Sequence, residues 1–415
     1  MTALHRRSLL GLGLAAGAVS MTSGALASAT PPARWMRSWS SAQMAVDGAN
    51  ALPPESIADV TLRQCVRLSL GGVGVRVRVS NLFGREPLSV LAAGVGRPVA
   101  LDGPAVAPGS HRPLTFAGRS DVIVPPGAEY LSDPVDLTVE RFDSLMVSLH
   151  LAQTPAIQTG HPGSRATSYI LAGDQTASAD LPGATRADHW WFLSGVDVHA
   201  ATAPGVMAIG DSITDGYGVQ PNTNARWTDA LAERLAGANP DAPRAVLNAG
   251  FGGNRLLADG VGPGVLNRFE RDVLGVPGVG HAIVLIGVND LGVMSRDGLD
   301  TPEAMTELAH RMMSALAQIA LRGRERGVRM VGGTITPFVG SDYYHPGPTG
   351  EAARQAVNGF IRSAGAFDGV IDFDAALRDP ADPSRLLAAY DNDHLHPTIA
   401  GYRAMAEAVD LALFD

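Results

Sequence analysis

The stretch that decides the fold is "VMAIGDSITDGYG", Val206–Gly218. An uninterrupted apolar run is cut off by a turn of Gly, Asp and Ser, the composition of a buried strand ending at a loop. The same pattern recurs downstream. Candidate strands fall at Val206–Ile209, Ala245–Asn248, Ala282–Ile286, Val328–Gly332 and Val370–Phe373. Between them lie helical patterns: "ARWTDALAERLAG", "PEAMTELAHRMMSALAQIALRGRERG" and "GEAARQAVNGFIRSAG". Strands and helices alternating at this spacing predict a parallel sheet with helices on both faces. Ligands of such sheets lie beyond the carboxyl ends of the strands, so the residues just after each strand are the candidates for chemistry.

Upstream, from about Trp35 to Val198, the rhythm is different: short alternating runs separated by Gly, Pro, Asn and Asp. In "VGVRVRVSN" the spacing puts Val73, Val75, Val77 and Val79 on one face and Arg76 and Arg78 on the other, which is strand periodicity. An all-β sandwich or jelly-roll-like unit is expected over residues 30–200, followed by an α/β unit over 204–415. The first 29 residues have a basic start with Arg6-Arg7, an apolar run from Leu9 to Val19 and then Ala-x-Ala spacings. They are expected to form an export signal of twin-arginine type, giving a periplasmic or extracellular product with no integral membrane segment.

Composition removes several chemistries. All 32 basic side chains are Arg, so Schiff-base, P-loop and Ser-Lys mechanisms are excluded. The formal charge is −9 with no run of like charge, a poor match to nucleic acid. Cys65 is the only cysteine, which excludes an internal disulfide or a thiolate metal site. Its strand-like setting predicts a small buried side chain.

At the predicted strand ends stand Ser212 in "GDSITDGYG", Gly250, Gly252 and Gly253 in "NAGFGGNRLL", and Asn289 in "GVND". The final loop, "DNDHLHP", offers Asp-x-x-His twice: Asp391 with His394, and Asp393 with His396. A hydroxyl, an imidazole, a carboxylate and amide donors on one sheet edge suit acyl transfer. Serine needs a base, the base needs a carboxylate, and the carbonyl oxygen that turns negative needs pre-aimed N–H groups. Together the small residues Gly250, Gly252 and Gly253 would let the backbone approach a ligand closely; taken singly, Gly-Asp-Ser is an ordinary turn, Gly252 and Gly253 are loop punctuation, and Asn289 could cap the following helix. Asp211 and Asp215, close to Ser212 on a tight turn, are expected to hydrogen-bond within it. The segment after the final loop sets its register. Ile399, Tyr402, Met405, Val409 and Leu413 recur at helical spacing. Pro397 is then expected at the first helical position and His396 at the cap, where the helix dipole keeps its ring neutral. Four Asp and His ligands within six residues would give poor metal geometry, so no metal or organic cofactor is expected.

These segments resemble the SGNH, or GDSL, hydrolase family, whose four blocks stand in order as "GDSIT", "GFGGNR", "GVND" and "DHLHP" from about Val206 to the end of the chain. The resemblance implies a flavodoxin-like three-layer α/β/α sandwich. It implies Ser212 as nucleophile and first oxyanion donor, Gly253 and Asn289 as the other donors, and Asp393 with His396 as the catalytic pair. The β-rich segment is similar to an N-terminal domain of some bacterial members. Gly-x-Ser-x-Gly, the α/β-hydrolase elbow, is absent around Ser212. The expected function is an exported serine esterase acting on short acyl, acetyl-type esters of carbohydrate or similar substrates. The alternatives are lipase, lysophospholipase or arylesterase activity, or a non-catalytic glycan-binding protein.

Overall fold

The computed structural model describes residues 32–363 and 365–415, so the expected signal segment lies outside the described residues. From Arg34 to Ala200 the chain is all-β and antiparallel, in sheets of four, three and seven strands. The alternation of "VRVRVS" is realised as strand Val75–Ser80, whose three valines are fully buried. Val73 falls outside it and is 64% exposed, because the glycines flanking it carry the chain through a turn before the strand begins. Arg76, on the other face, is not simply solvated: it reaches the buried carboxylate of Asp197 at 3.2 Å, with Arg37 on the second oxygen. Cys65 is buried, and burial pushes its thiol up to about 12, which leaves it inert.

The second part is a five-stranded parallel sheet. Its spatial order is Val246–Gly250, Gly205–Gly210, Val279–Leu285, Arg329–Gly333, Gly369–Ile371. In order along the chain these are strands 2-1-3-4-5, the flavodoxin-like arrangement, so the chain leaves its first strand in opposite directions and opens a crevice there. The helices are α1 (Ser212–Asp215), α2 (Trp227–Ala238), α3 (Val265–Phe269), α4 (Val288–Arg296), α5 (Pro302–Glu325), α6 (Pro348–Ser363), α7 (Phe373–Leu377) and α8 (Ile399–Glu407). They pack in two groups, α2 with α7 and α8, and α3 with α4, α5 and α6. The long α5 shows why the sequence dictates this. Thr301 caps it, Pro302 begins it, and Met305, Leu308, Met312, Leu316 and Ile319 make one buried stripe.

The two parts share one core. Strand Val246–Gly250 is an edge of the parallel sheet, and an edge leaves N–H and C=O groups unpaired. Here the β-region covers it: Ser69 Oγ accepts from Val246 N–H at 3.2 Å, and Ser40 Oγ donates to the Asn248 carbonyl at 3.0 Å. A continuous buried apolar cluster runs from Met36 and Trp39 through Phe251 to the helices. Trp190 and Trp191 belong to it, with Trp190 edge-on to Trp39 at 4.8 Å. Residues 32–415 should therefore unfold in one calorimetric transition whose calorimetric and van't Hoff enthalpies agree. Two resolved transitions would contradict a shared core.

Candidate active site

α1 follows the first strand without a break. Asp211 caps it through a 3.0 Å hydrogen bond from Ile213 N–H, which makes Ser212 the first helical residue and points its N–H out of the helix end. Gly250 on the neighbouring strand makes room: a side chain there would come within 2.4 Å of Asp215 N. That glycine serves packing between the turn and the strand. Gly252 has open space around it, and Gly253 takes φ +71°, a conformation that favours glycine.

The final loop places its two Asp–His pairs very differently. Asp391 and His394 bond at 2.5 Å on the surface, with the His394 side chain 51% exposed. Asp393 Oδ2 lies 2.8 Å from His396 Nδ1, and His396 Nε2 lies 2.9 Å from Ser212 Oγ, with the His396 side chain only 9% exposed. A carboxylate can only accept, so the Asp393 contact puts the proton on Nδ1 and leaves a lone pair on Nε2 facing the serine. Asp393 also receives the N–H groups of Leu395 and His396, at 3.2 and 2.7 Å. Burial pushes the Asp393 carboxyl up, but these hydrogen bonds and the His396 ring outweigh it and hold the pKa below the usual carboxylate value. His396 is not the helix cap. Thr398 caps α8 by accepting from Gly401 N–H, and Pro397 precedes the helix in a bridge to Asp391. A threonine hydroxyl can accept the helix-end hydrogen bond that a histidine reserved for another partner cannot. Asp393, rather than the dipole, thus sets the ring's tautomer.

Asn289 stands after the third strand, in the first turn of α4, and caps nothing. Its amide is oriented from both ends: Tyr344 Oη donates to Oδ1 at 2.6 Å, and Nδ2 donates to the Asn254 carbonyl at 2.7 Å. Burial raises the Tyr344 pKa, keeping the phenol protonated so that it can donate. Among the described residues, the N–H groups of Ser212 and Gly253 donate to no protein acceptor. Behind this edge lies Arg268, fully buried. It donates to Gly210 O, Ala249 O and Asn254 Oδ1, joining two strand ends to the glycine loop.

Asp215 departs from expectation. Its side chain leaves the turn and crosses to the β-region, where its Oδ1 lies 2.9 Å from His161 Nε2 with both side chains buried. His161 Nδ1 faces the Ala42 carbonyl at 2.8 Å and donates to it, which fixes the ring between the two parts of the molecule. Gly163 permits the approach, since a Cβ there would lie 2.0 Å from Asp215 Oδ2. Nearby, Tyr217 stacks on the His396 ring at 4.0 Å and is held by Tyr402 Oη, which donates to its carbonyl. Tyr344, Arg268 and His161 carry no sequence signal, and Tyr217 has none beyond its place in "GDSITDGYG".

Two carboxyls under Ser212 are tuned by the same burial. Asp211 is raised to about 7 by desolvation, with Asp290 adding to the shift and Ile213 N–H and Arg268 opposing it. Asp290 is raised to about 6, again by burial, against the N–H groups of Leu256 and Leu257. A folded-state pKa above the unfolded one means that the stability these two groups contribute is complete below about pH 4 and is lost as pH rises through about 6 to 7. Asp211→Asn keeps an oxygen for the cap and should flatten the fall in urea midpoint between about pH 5 and 8. An unchanged slope would contradict this assignment.

Residues 208–404 match the model of the GDSL-like Lipase/Acylhydrolase family. No curated protein matches the chain. Among solved structures, a putative lipolytic protein of G-D-S-L family from Desulfitobacterium hafniense DCB-2 is 19% identical, covering 49% of this chain and 97% of its own, with a TM-score of 0.36. An α/β hydrolase enzyme, LAE5, from the metagenome of Lake Arreo is 20% identical over 50% of this chain and 94% of its own, TM-score 0.37. The acetylxylan esterase Axe2 from Geobacillus stearothermophilus, as a catalytic mutant, is 20% identical over 50% of this chain and 92% of its own, TM-score 0.38. The blocks that stand at the sheet edge lie within residues 208–404, the part of this chain that is similar to the GDSL-like Lipase/Acylhydrolase family.

Proposed function

We propose that the protein is an exported serine esterase that works through an acyl-enzyme on Ser212. The observation that carries this is the continuous chain Ser212 Oγ, His396 Nε2, His396 Nδ1, Asp393, with links of 2.9 and 2.8 Å. Ser212 Oγ attacks the ester carbonyl while His396 Nε2 takes its proton, and Asp393 stabilises the imidazolium. The carbonyl oxygen becomes an oxyanion near Ser212 N–H, Gly253 N–H and Asn289 Nδ2. Asn289 has two amide hydrogens and spends one on Asn254, so the second is free for substrate. Each such donor contributes about 3 kcal/mol. His396 then returns its proton to the departing alcohol, and water repeats the sequence to release the acid.

The finer proposal is a short acyl, acetyl-type ester on a carbohydrate or similar alcohol. Tyr217 supports it: 43% exposed and stacked on His396, it gives the site an exposed aromatic surface against which a sugar can pack. Export rests on the composition of the first 29 residues. Among the described residues, no helix is long and apolar enough to cross a membrane.

Hydrolysis of 4-nitrophenyl acetate should fall by about three orders of magnitude or more in Ser212→Ala, measured as kcat. Equal rates in the two proteins would remove the serine mechanism. The register has its own test. His396→Ala should lose activity on the same scale, whereas His394→Ala, which alters only a surface pair, should stay within a few-fold of the parent. The reverse order would transfer the role to His394.

A further inference from the structure

The loop Ser164–Thr167 of the β-region is fastened to the segment after α1. Arg226 Nη2 donates to Ser164 O at 2.6 Å, and Asn222 N–H donates to Arg165 O at 2.9 Å. Asn222 also accepts from Thr167 N–H at 2.8 Å and donates to Thr167 Oγ1 at 2.9 Å. These bonds hold Arg165 at φ +48°, in the left-handed region that a non-glycine residue adopts only when its surroundings impose it. The backbone is therefore fixed, and the side chain is presented from one part of the molecule to the site of the other.

The Arg165 guanidinium lies over the Tyr217 ring, its Cζ 5.5 Å from the centroid, and Tyr217 is the ring stacked on His396. Arg165 Nε is buried and has no hydrogen-bond partner. The nearby carboxylates bond other partners, Asp215 to His161, Asp393 to His396 and Asp188 to Thr167, and although Asp215 Oδ2 is buried without a partner, none of the three pairs with Arg165. Among the described residues, Arg165 joins no ion pair. The residue is only partly exposed, so this is a guanidinium partly withdrawn from water, without a counter-ion, at the rim of the catalytic edge. Proteins seldom retain an uncompensated, half-buried charge without a partner to meet it. A guanidinium fork matches the paired oxygens of a carboxylate or phosphate.

We propose that Arg165 is a specificity-determining residue that recognises an anionic group, carboxylate or phosphate, on the ester substrate. The β-region thereby supplies part of the substrate site. This rests on the hydrolytic role of Ser212 and His396 proposed above and names the substrate class of that same site. The contact is an ion pair outside the reacting atoms, so it selects substrates and takes no part in proton transfer.

The test compares acetate esters that differ in charge: 4-acetoxybenzoate, its methyl ester, and 4-acetoxyphenyl phosphate. The kcat/KM ratio of a charged ester to the neutral one is measured in the wild type, Arg165→Gln and Arg165→Lys. Taking each ratio relative to wild type cancels the intrinsic reactivity of the esters. Arg165→Gln should lower the ratio about tenfold, the size expected of a partly exposed ion pair, and Arg165→Lys should recover part of it. The wild-type ratio should also shrink with added salt. The charged ester with the larger drop identifies whether carboxylate or phosphate is the natural group. A ratio that Arg165→Gln leaves unmoved, whether or not overall rates change, would overturn the proposal while leaving the esterase intact, and would assign Arg165 to packing on Tyr217. Absence of turnover of every ester by the wild type would instead defeat the hydrolytic role, and this proposal with it.

Discussion

Ser212–Asp215 is a single helical turn, and one turn cannot hold itself by its own hydrogen bonds, because nucleation fixes several residues for one bond gained. Its position is imposed from outside. Asp211 caps one end, the bare Cα of Gly250 lets the turn lie against the neighbouring strand, and the other end is tied through Asp215 to His161. The last tie crosses from the α/β part to the β-region. The serine hydroxyl therefore sits where it does only while both parts are folded against each other.

The same dependence runs through the rest of the edge. The β-region covers the exposed strand Val246–Gly250 with the hydroxyls of Ser40 and Ser69, and that strand carries the glycine loop. Arg268 then links the loop to the first strand, and Tyr344 aims the Asn289 amide at it. Each donor proposed for the oxyanion is oriented by the protein alone, and a polar group so oriented can stabilise a developing charge without first reorganising. The His396 loop is organised in the same way, by one carboxylate that accepts two backbone N–H groups and the ring together.

Much of this is legible in the sequence because it is local. Five apolar runs, each ending at a polar turn, predict the parallel sheet, and its observed strands differ from the expected ones by one to three residues at their ends. Ser212, Gly253 and Asn289 are visible as the residues that stand after those runs. The Asp-x-x-His doublet is visible too, but its register is not set by a helix beginning at Pro397, because the helix begins two residues later behind Thr398. What separates His396 from His394 is contact with Ser212, 184 positions away in the chain. The roles of Asp215, Gly250, Arg268 and Arg165 are illegible for the same reason. They are set by partners on other strands and in the other part of the molecule, and no periodicity records such a pairing. Val73 shows the opposite failure, where a pattern of alternating valines extends past the true start of the strand into a turn.

In the proposed mechanism Ser212 is the residue made nucleophilic by its surroundings. The most direct test of that role is exposure of the protein to a phosphonate ester carrying a 4-nitrophenolate leaving group, with intact-mass and peptide mass spectrometry as the readout. A single phosphonyl adduct on the peptide containing Ser212, forming quickly in the parent protein and very slowly when His396 is replaced, is the predicted result. Labelling of another serine, or an unlabelled protein that still hydrolyses esters, would contradict it.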